Sequence, residues 1–433
     1  MFMDKNLCAL TPPMGWNSWD CYGASVNEEQ LLANAQYMAE HLKEFGWQYI
    51  VCDIQWSEPD ADSQAYHPFT ELCMDEYSRL IPAPNRFPSS AGGKGFGPVA
   101  DKIHALGLKF GIHIMRGIPR QAVHRNTAVK GTALTARQIA KTFSICPWNS
   151  DMYGVDCSKE GGQAYYDSLF ELYASWGVDY VKVDDICASN FIKGEPYHAP
   201  DEVGAIRKAI DRCGRPMVLS LSPGPAVVEE AFHLSQNANM WRITDDFWDR
   251  WDLLLDMFTR CRKWFTHVKE GCWPDCDMLP LGHLCLFDRN ADGTRGRLTR
   301  FTKAEQITMM TLWAVFRSPL MIGCELTDMD EFTLSLLTNR EMLEIDQFSS
   351  GGHPVIDTNG FKLWACVCKD GVTALAAFNT GNEKAEFEIG LAAQGIENGY
   401  FREIWTGREY AAQNGIIRLE IEPHGAALIK CGD

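Results

Sequence analysis

Tyr180-Val181-Lys182-Val183-Asp184-Asp185 decides how the rest of the chain is read. A short run of β-branched and aromatic residues predicts a buried strand, and its acidic end puts carboxylates at the C-terminal tip of that strand. Met240-Trp241-Arg242-Ile243-Thr244-Asp245-Asp246 repeats the pattern. In α/β barrels the chemistry sits at such tips. Lys182, two residues before Asp184, and Arg242, four before Asp246, supply cations that hold a neighbouring carboxylate ionised or bind hydroxyl groups. Two carboxylates in such surroundings suit the cleavage of a glycosidic bond.

Working outward, similar apolar runs recur with helical patterns between them, as a parallel barrel requires. Eight strands are expected, at Met14–Asn17, Tyr49–Ile54, Lys109–Ile114, Tyr180–Asp185, Met217–Ser222, Met240–Asp246, Cys272–Leu279 and Pro319–Leu326. Segments such as Glu28–Phe45, Gly161–Trp176, Trp251–Phe265 and Lys303–Phe316 space their apolar residues by three and four, and read as outer helices. The connections over Gln55–Gly95 and Met115–Glu160 are unusually long. On the catalytic face, loops of that length shape a pocket or a contact between copies, so a homo-oligomer stays open.

After Ser349-Ser350-Gly351-Gly352 the pattern becomes short alternating strands, at Phe361–Cys368, Val372–Phe378, Ala385–Ile389, Phe401–Trp405, Ile416–Ile421 and Ala426–Lys430. The expected fold is α/β: a (β/α)8 TIM barrel over residues 1–348, followed by a C-terminal antiparallel β-sandwich over 349–433.

The chain has 433 residues, enough for both parts, and a formal net charge of −17. That charge disfavours nucleic acid and anionic membranes, which need a positive face, and favours a neutral partner such as a small oligosaccharide or glycoside. No apolar run reaches the length of a membrane span, and the first fifteen residues lack the basic and apolar regions of a secretory signal. A cytoplasmic protein is expected. The 16 cysteines are scattered through apolar segments of a chain too large to need staples, so most read as buried free thiols. Cys272 and Cys276 have no second Cys/His pair at zinc spacing. Asp288-x-Asn290-x-Asp292-Gly293 begins like a calcium loop but has Thr299 where the bidentate Glu belongs, and reads as a polar turn. Neither motif predicts a metal site.

With the strands so placed, their tips carry Trp19, Asp53, His113, Lys182 with Asp184 and Asp185, Ser222, Arg242 with Asp245 and Asp246, and Asp277. Carboxylates accept paired bonds from vicinal hydroxyls, and an indole face covers the C–H surface of a sugar ring. Any one of these acids on its own also reads as the structural partner of a Lys or Arg. Acids on four or five separate tips make that explanation weak for the set.

The sequence resembles glycoside hydrolase family 27, the α-galactosidase family, over nearly its whole length. The matching segments are Thr11-Pro12-Pro13-Met14-Gly15-Trp16-Asn17-Ser18-Trp19, Tyr180 to Asp184, Trp241-Arg242-x-x-x-Asp246, Asp275-x-Asp277-Met278-Leu279, and Leu312-Trp313-Ala314 with Ser318-Pro319-Leu320. The resemblance implies a retaining double displacement, with Asp184 as nucleophile and Asp246 as acid/base, their carboxyls about 5–5.5 Å apart. It also implies Trp19 as a stacking wall, Asp53 on hydroxyls at the far edge of the sugar, Lys182 on the 3- and 4-hydroxyls and Arg242 near the 2-hydroxyl, with no metal and no organic cofactor. Lys182 and Arg242 are expected to keep Asp184 ionised. Asp246 is expected to be kept protonated by burial or by acids such as Asp245.

Three departures from the family pattern stand out. Family α-galactosidases commonly carry two consecutive acids at the second tip; here the pair is Asp53-Ile54. An apolar Ile54 facing the place of the galactose hydroxymethyl group favours β-L-arabinopyranose, which shares the ring stereochemistry of α-D-galactose without that group. If Ile54 instead packs inward, the preference disappears. At the fifth tip, Ser222-Pro223-Gly224-Pro225 replaces a Glu-containing segment, which keeps 2-acetamido sugars open, although glycine and proline also simply make a turn. Gln55, Ile186 and Leu221 stand where secreted members have disulfide cysteines, in keeping with a reducing compartment.

The expectation is therefore a retaining exo-glycosidase acting on galactose-configured pyranosides, with β-L-arabinopyranosides ahead of α-D-galactosides and N-acetylgalactosaminides. A silent carbohydrate-binding barrel is the non-enzyme alternative, opposed by the survival of both acids. A metal-assisted isomerase or hydrolase lacks the clustered histidines such chemistry often uses.

Overall fold

The computed structural model describes residues 4–190, 194, 197–392 and 399–431. Eight parallel strands form one curled sheet: β1 (Met14–Asn17), β2 (Tyr49–Cys52), β3 (Lys109–Met115), β4 (Tyr180–Asp184), β5 (Val218–Leu221), β6 (Met240–Arg242), β7 (Trp273–Asp275) and β8 (Leu320–Ile322). Their spatial order is β7-β6-β5-β4-β3-β2-β1-β8. A parallel bridge between Leu279, just past β7, and Ile322 of β8 closes the barrel. β1, β2, β5, β6 and β8 are buried on every residue, as strands covered on both faces must be. Gly15 permits the β1–β2 approach, since a Cβ there would lie 2.6 Å from Tyr49 Cβ.

Helices follow each strand: α1 (Glu28–His41), α2 (Gly97–Ala105), α3 (Glu160–Ser175), α4 (Pro200–Arg212), α5 (Ala231–Asn237), α6 (Trp251–Trp264), α7 (Lys303–Phe316) and α8 (Arg340–Phe348). Asn27 and Gln30 cap the start of α1 reciprocally, and Thr302 and Glu305 do the same for α7. Each pair satisfies two orphan backbone donors. The segment expected as one helix over Glu28–Phe45 ends at His41, and a separate 3-10 turn covers Lys43–Phe45.

The ladders are shorter than the apolar runs. β6 stops at Arg242 and β7 at Asp275, so Asp246 and Asp277 stand on the loops beyond instead of on the strands themselves. The long connection after β3 folds on itself as a three-stranded sheet of Ile118–Pro119, Ala140–Ile145 and Met152–Val155. The calcium-like segment lies at the turn of a hairpin formed by His283–Arg289 and Arg295–Leu298, where Asp292 Oδ1 accepts from Thr294 N at 3.0 Å and Thr294 Oγ1 at 2.6 Å.

Among its described residues the C-terminal part has eight strands where six were expected: β9 (Ser350–Asp357), β10 (Phe361–Val367), β11 (Thr373–Asn379), β12 (Ala385–Gly390), β13 (Tyr400–Glu403), β14 (Glu409–Ala411), β15 (Ile416–Ile421) and β16 (Ala426–Cys431). The additional ones are β9, which runs through the glycine-rich stretch, and the short β14. They form an antiparallel sheet in the order β9-β10-β11-β16-β13-β14 and a pair β12-β15. Leu363, Leu375 and Ile429 of the first pack with Ile389, Ile417 and Leu419 of the second, which makes a β-sandwich. Among the described residues fifteen cysteines are free and most are buried. No helix among the described residues is long and apolar enough to cross a membrane.

Candidate active site

The C-terminal mouth of the barrel holds a cavity of about 460 Å3. Trp19, Asp53, Ile54, Lys182, Asp184, Arg242, Asp246 and Asp277 all line it, so five strand tips converge on one pocket. A larger cavity of about 710 Å3 opens between the two long connections, against Phe69, Arg120 and Tyr153, and contains none of the expected site residues.

Asp184 ends β4. Its Oδ1 accepts from the N–H of Asp185 at 3.0 Å, and its Oδ2 lies 3.1 Å from His113 Nε2, which donates. Burial pushes this carboxyl up, but the hydrogen bond and charge of His113, the Lys182 ammonium and the Asp185 N–H outweigh it and hold the group well below the usual carboxylate range. Pairing of β3 with β4 puts His113 opposite Lys182, which is how the imidazole reaches Asp184. The Trp56 indole N–H donates to the His113 carbonyl at 2.7 Å. His113 is buried beneath the cavity and contacts Asp184 from below.

Lys182 differs from expectation in its direct partner. Its ammonium bonds Asp53 Oδ2 at 2.9 Å, the oxygen that also accepts from Asn17 Nδ2 at 2.7 Å, and it influences Asp184 only through its charge. Despite burial, Lys182, His113 and Asn17 keep Asp53 below its ordinary value. Arg242 likewise does not serve Asp184. It pairs with Asp246 Oδ1 at 3.0 Å and Asp277 Oδ2 at 3.1 Å.

The side chain of Asp246 is 62% exposed. The expected burial is absent, because β6 has ended four residues earlier and the loop carries Asp246 out to the rim. Asp245 next to it is half-buried and accepts from Asn190; burial raises its proton affinity. Under the site, burial and Asp277 push Asp275 up to about 7, and burial with Asp184 and Glu202 pushes Asp185 up to about 7 against Arg116. Arg116 grips that layer through Asp185 Oδ2 at 2.9 Å and Glu202 Oε1 at 3.0 Å.

Ser222 is not in the cavity wall. It is buried below, at a void of about 20 Å3 shared with Lys182, Arg242 and Asp277, and Pro223 takes its place in the lining. Sequence reasoning missed Asp20, Tyr66, Trp148 and Trp248, which also line the pocket. Tyr66 stacks on Trp19 with ring centroids 6.2 Å apart and 16° between planes. Aromatic residues inside two overlong connections on the catalytic face were the available signal.

Comparison with known proteins agrees with this architecture. The α-galactosidase A sequence profile matches residues 150–348, and that of the α-galactosidase C-terminal β-sandwich domain matches residues 358–431. A β-L-arabinopyranosidase of that family from Geobacillus stearothermophilus, solved with arabinose, is 56% identical and superposes with a TM-score of 0.95 over 100% of this chain and 99% of its own. The chain belongs to glycoside hydrolase family 27. Within family 27 it is also similar to a Bacillus halodurans protein provisionally described as an α-N-acetylgalactosaminidase, at 53% identity and a TM-score of 0.87 over 98% and 97% of the two chains. Alpha-galactosidase 2 of Arabidopsis thaliana is 27% identical over 99% of this chain and 91% of the relative. The chain is thus a glycoside hydrolase, with its family's barrel and sandwich.

Proposed function

We propose that this chain is a retaining exo-glycosidase that removes terminal β-L-arabinopyranosyl groups. Asp184 attacks the anomeric carbon as the bond to the aglycone oxygen breaks, and Asp246 gives that oxygen its proton. A water then attacks the same carbon, loses its proton to Asp246 and displaces Asp184, so two inversions leave the configuration retained. His113 and Lys182 keep Asp184 ionised for the first attack. Arg242, bonded to both Asp246 and Asp277, fixes the acid/base at the rim, where the aglycone leaves. The rim position also gives the second water direct access. Trp19 and Tyr66 offer an aromatic wall to the ring, and Asp53, oriented by Asn17 and Lys182, accepts from its hydroxyls.

The observation that carries the specificity is Ile54. It lines the cavity beside Asp53 and packs with Met115, Cys146 and Met152, against Trp19, Tyr66 and Trp148. An apolar wall suits a ring that bears only hydrogen at C5. Galactose has to leave a buried hydroxyl unpaired there, at a cost of about 1–3 kcal/mol, or roughly five- to a hundred-and-fifty-fold in specificity. Initial rates on matched nitrophenyl β-L-arabinopyranoside, α-D-galactoside and 2-acetamido-α-D-galactoside test the assignment; a preference for either of the latter two sinks it. Ile54→Asp is expected to shift the ratio of specificity constants toward the galactoside by a factor in that range, since it restores an acceptor. It also adds a charge beside Asp53, so a thermal melt has to accompany the kinetics. An unchanged ratio in a folded protein would remove Ile54 from the specificity argument.

A further inference from the structure

Asp20 lies in the helical turn Trp19–Tyr22, lines the same cavity and is only 4% exposed. Its Oδ2 is shielded from solvent and hydrogen-bonds no other described residue. A buried polar group left unpaired is costly, and an unpaired buried carboxylate far more so. The chain nevertheless makes room for it. Gly323, just past β8, has no Cβ, and one built there would sit 2.2 Å from Asp20 Oδ2.

We propose that Asp20 is a substrate-binding residue that donates a hydrogen bond to a hydroxyl of the bound pyranoside. The inference rests on the glycosidase reading above and adds a donor to a site whose other carboxyl groups serve as acceptors, nucleophile or acid/base. The charged groups around Asp20 agree with a neutral acid. From the cavity side it faces Asp277, Lys182, Asp246 and Asp53, three acids against one cation, and that cation is bonded to Asp53. Behind it are the thiols of Cys21, Cys285 and Cys324, and Arg297, whose guanidinium is held by Asp249 at 2.5 Å and 2.8 Å. Burial first, then Asp277, Asp246 and Asp53, raise the proton affinity of Asp20 well above the ordinary carboxylate value, against Lys182. A protonated carboxyl is both donor and acceptor, whereas its anion only accepts. Where Asp20 borders the cavity, a sugar hydroxyl supplies the acceptor that a neutral carboxyl needs.

The test uses the inhibition constant of free L-arabinose against nitrophenyl β-L-arabinopyranoside hydrolysis, because binding a free sugar does not require proton transfer from Asp246. At neutral pH, Asp20→Asn, which keeps size, neutrality and a donor, is expected to stay within about threefold of the parent, while Asp20→Ala weakens binding about tenfold, the loss of one hydrogen bond. Parent binding is expected to weaken on the alkaline side as Asp20 ionises, while that of Asp20→Asn weakens less. Should Asp20→Ala fail to fold, the pH comparison of parent with Asp20→Asn still decides. Equal losses in Asn and Ala variants, no loss in either, or identical pH profiles in parent and Asp20→Asn would overturn the role of Asp20 in a protein that remains a glycosidase. A parent inactive on all three nitrophenyl glycosides would instead overturn the functional reading, and this assignment with it.

Discussion

Asp184→Ala is expected to cut turnover on an activated aryl arabinopyranoside by at least about a thousandfold, with the fold intact. Its carboxyl is the one whose local partners, His113 at 3.1 Å and the Asp185 N–H at 3.0 Å, stabilise the anion that a nucleophile must be. No second group takes over. Asp185 next door points into the Arg116 layer with Oδ2 at 2.9 Å, and its own affinity for a proton is raised. External azide, small enough to enter the vacated space, is expected to restore part of the rate and give a glycosyl azide of inverted configuration. The wild type should release sugar of retained configuration by proton NMR. An inverted first product from the wild type would sink the double displacement.

Asp246→Ala should discriminate between leaving groups. General-acid assistance contributes typically 10²–10⁴-fold where the departing oxygen is basic and little where it is not. Glycosides of alkyl alcohols or sugars are thus expected to lose about 10²-fold or more relative to nitrophenyl glycosides in the same variant, measured as the ratio of specificity constants. The reason is positional: Asp246 is the cavity acid that is both solvent-exposed and bonded to Arg242. Equal losses on both kinds of substrate would move the proton donor to Asp245, which lines the same rim.

Much of the scaffold could be read from the chain because strands covered on both faces are uninterrupted apolar runs, and this chain ends several of them on acids. The Tyr180–Asp184 run became β4 with Asp184 at its tip. Where an apolar run outlasts its ladder, the reading went astray: Met240 to Ile243 looks continuous, yet pairing stops at Arg242, and the residues that follow turn outward. Side-chain alternation was equally uninformative at Ile54, because β2 ends at Cys52 and the alternation rule lapses beyond it. His113 and Lys182 were both visible at strand tips, but which of them touches Asp184 depends on how β3 and β4 register, and a single sequence does not contain that. Tyr66 and Trp148 come to the pocket from connections whose path is decided by tertiary packing alone. Asp20 went unnoticed beside Trp19 because its meaning lies in a glycine three hundred residues away.

Helix α7 lies between the barrel and the sandwich. From Thr308 to Phe316 every residue is buried, so the helix has no outward face. One side touches the barrel, where the Trp313 indole N–H donates to the Asp277 carbonyl at 3.3 Å. The other is roofed by the sandwich: the Trp405 indole bonds Thr311 Oγ1 at 2.9 Å, the carbonyl of His424 accepts from Thr308 at 2.6 Å, and the His424 ring lies flat on Trp251 of α6 at 3.8 Å. The C-terminal lobe is therefore no detachable cassette. It is the outer skin of a helix whose inner side holds the backbone of a residue lining the pocket, and removing it would strip the cover from Thr308 and Thr311 of α7.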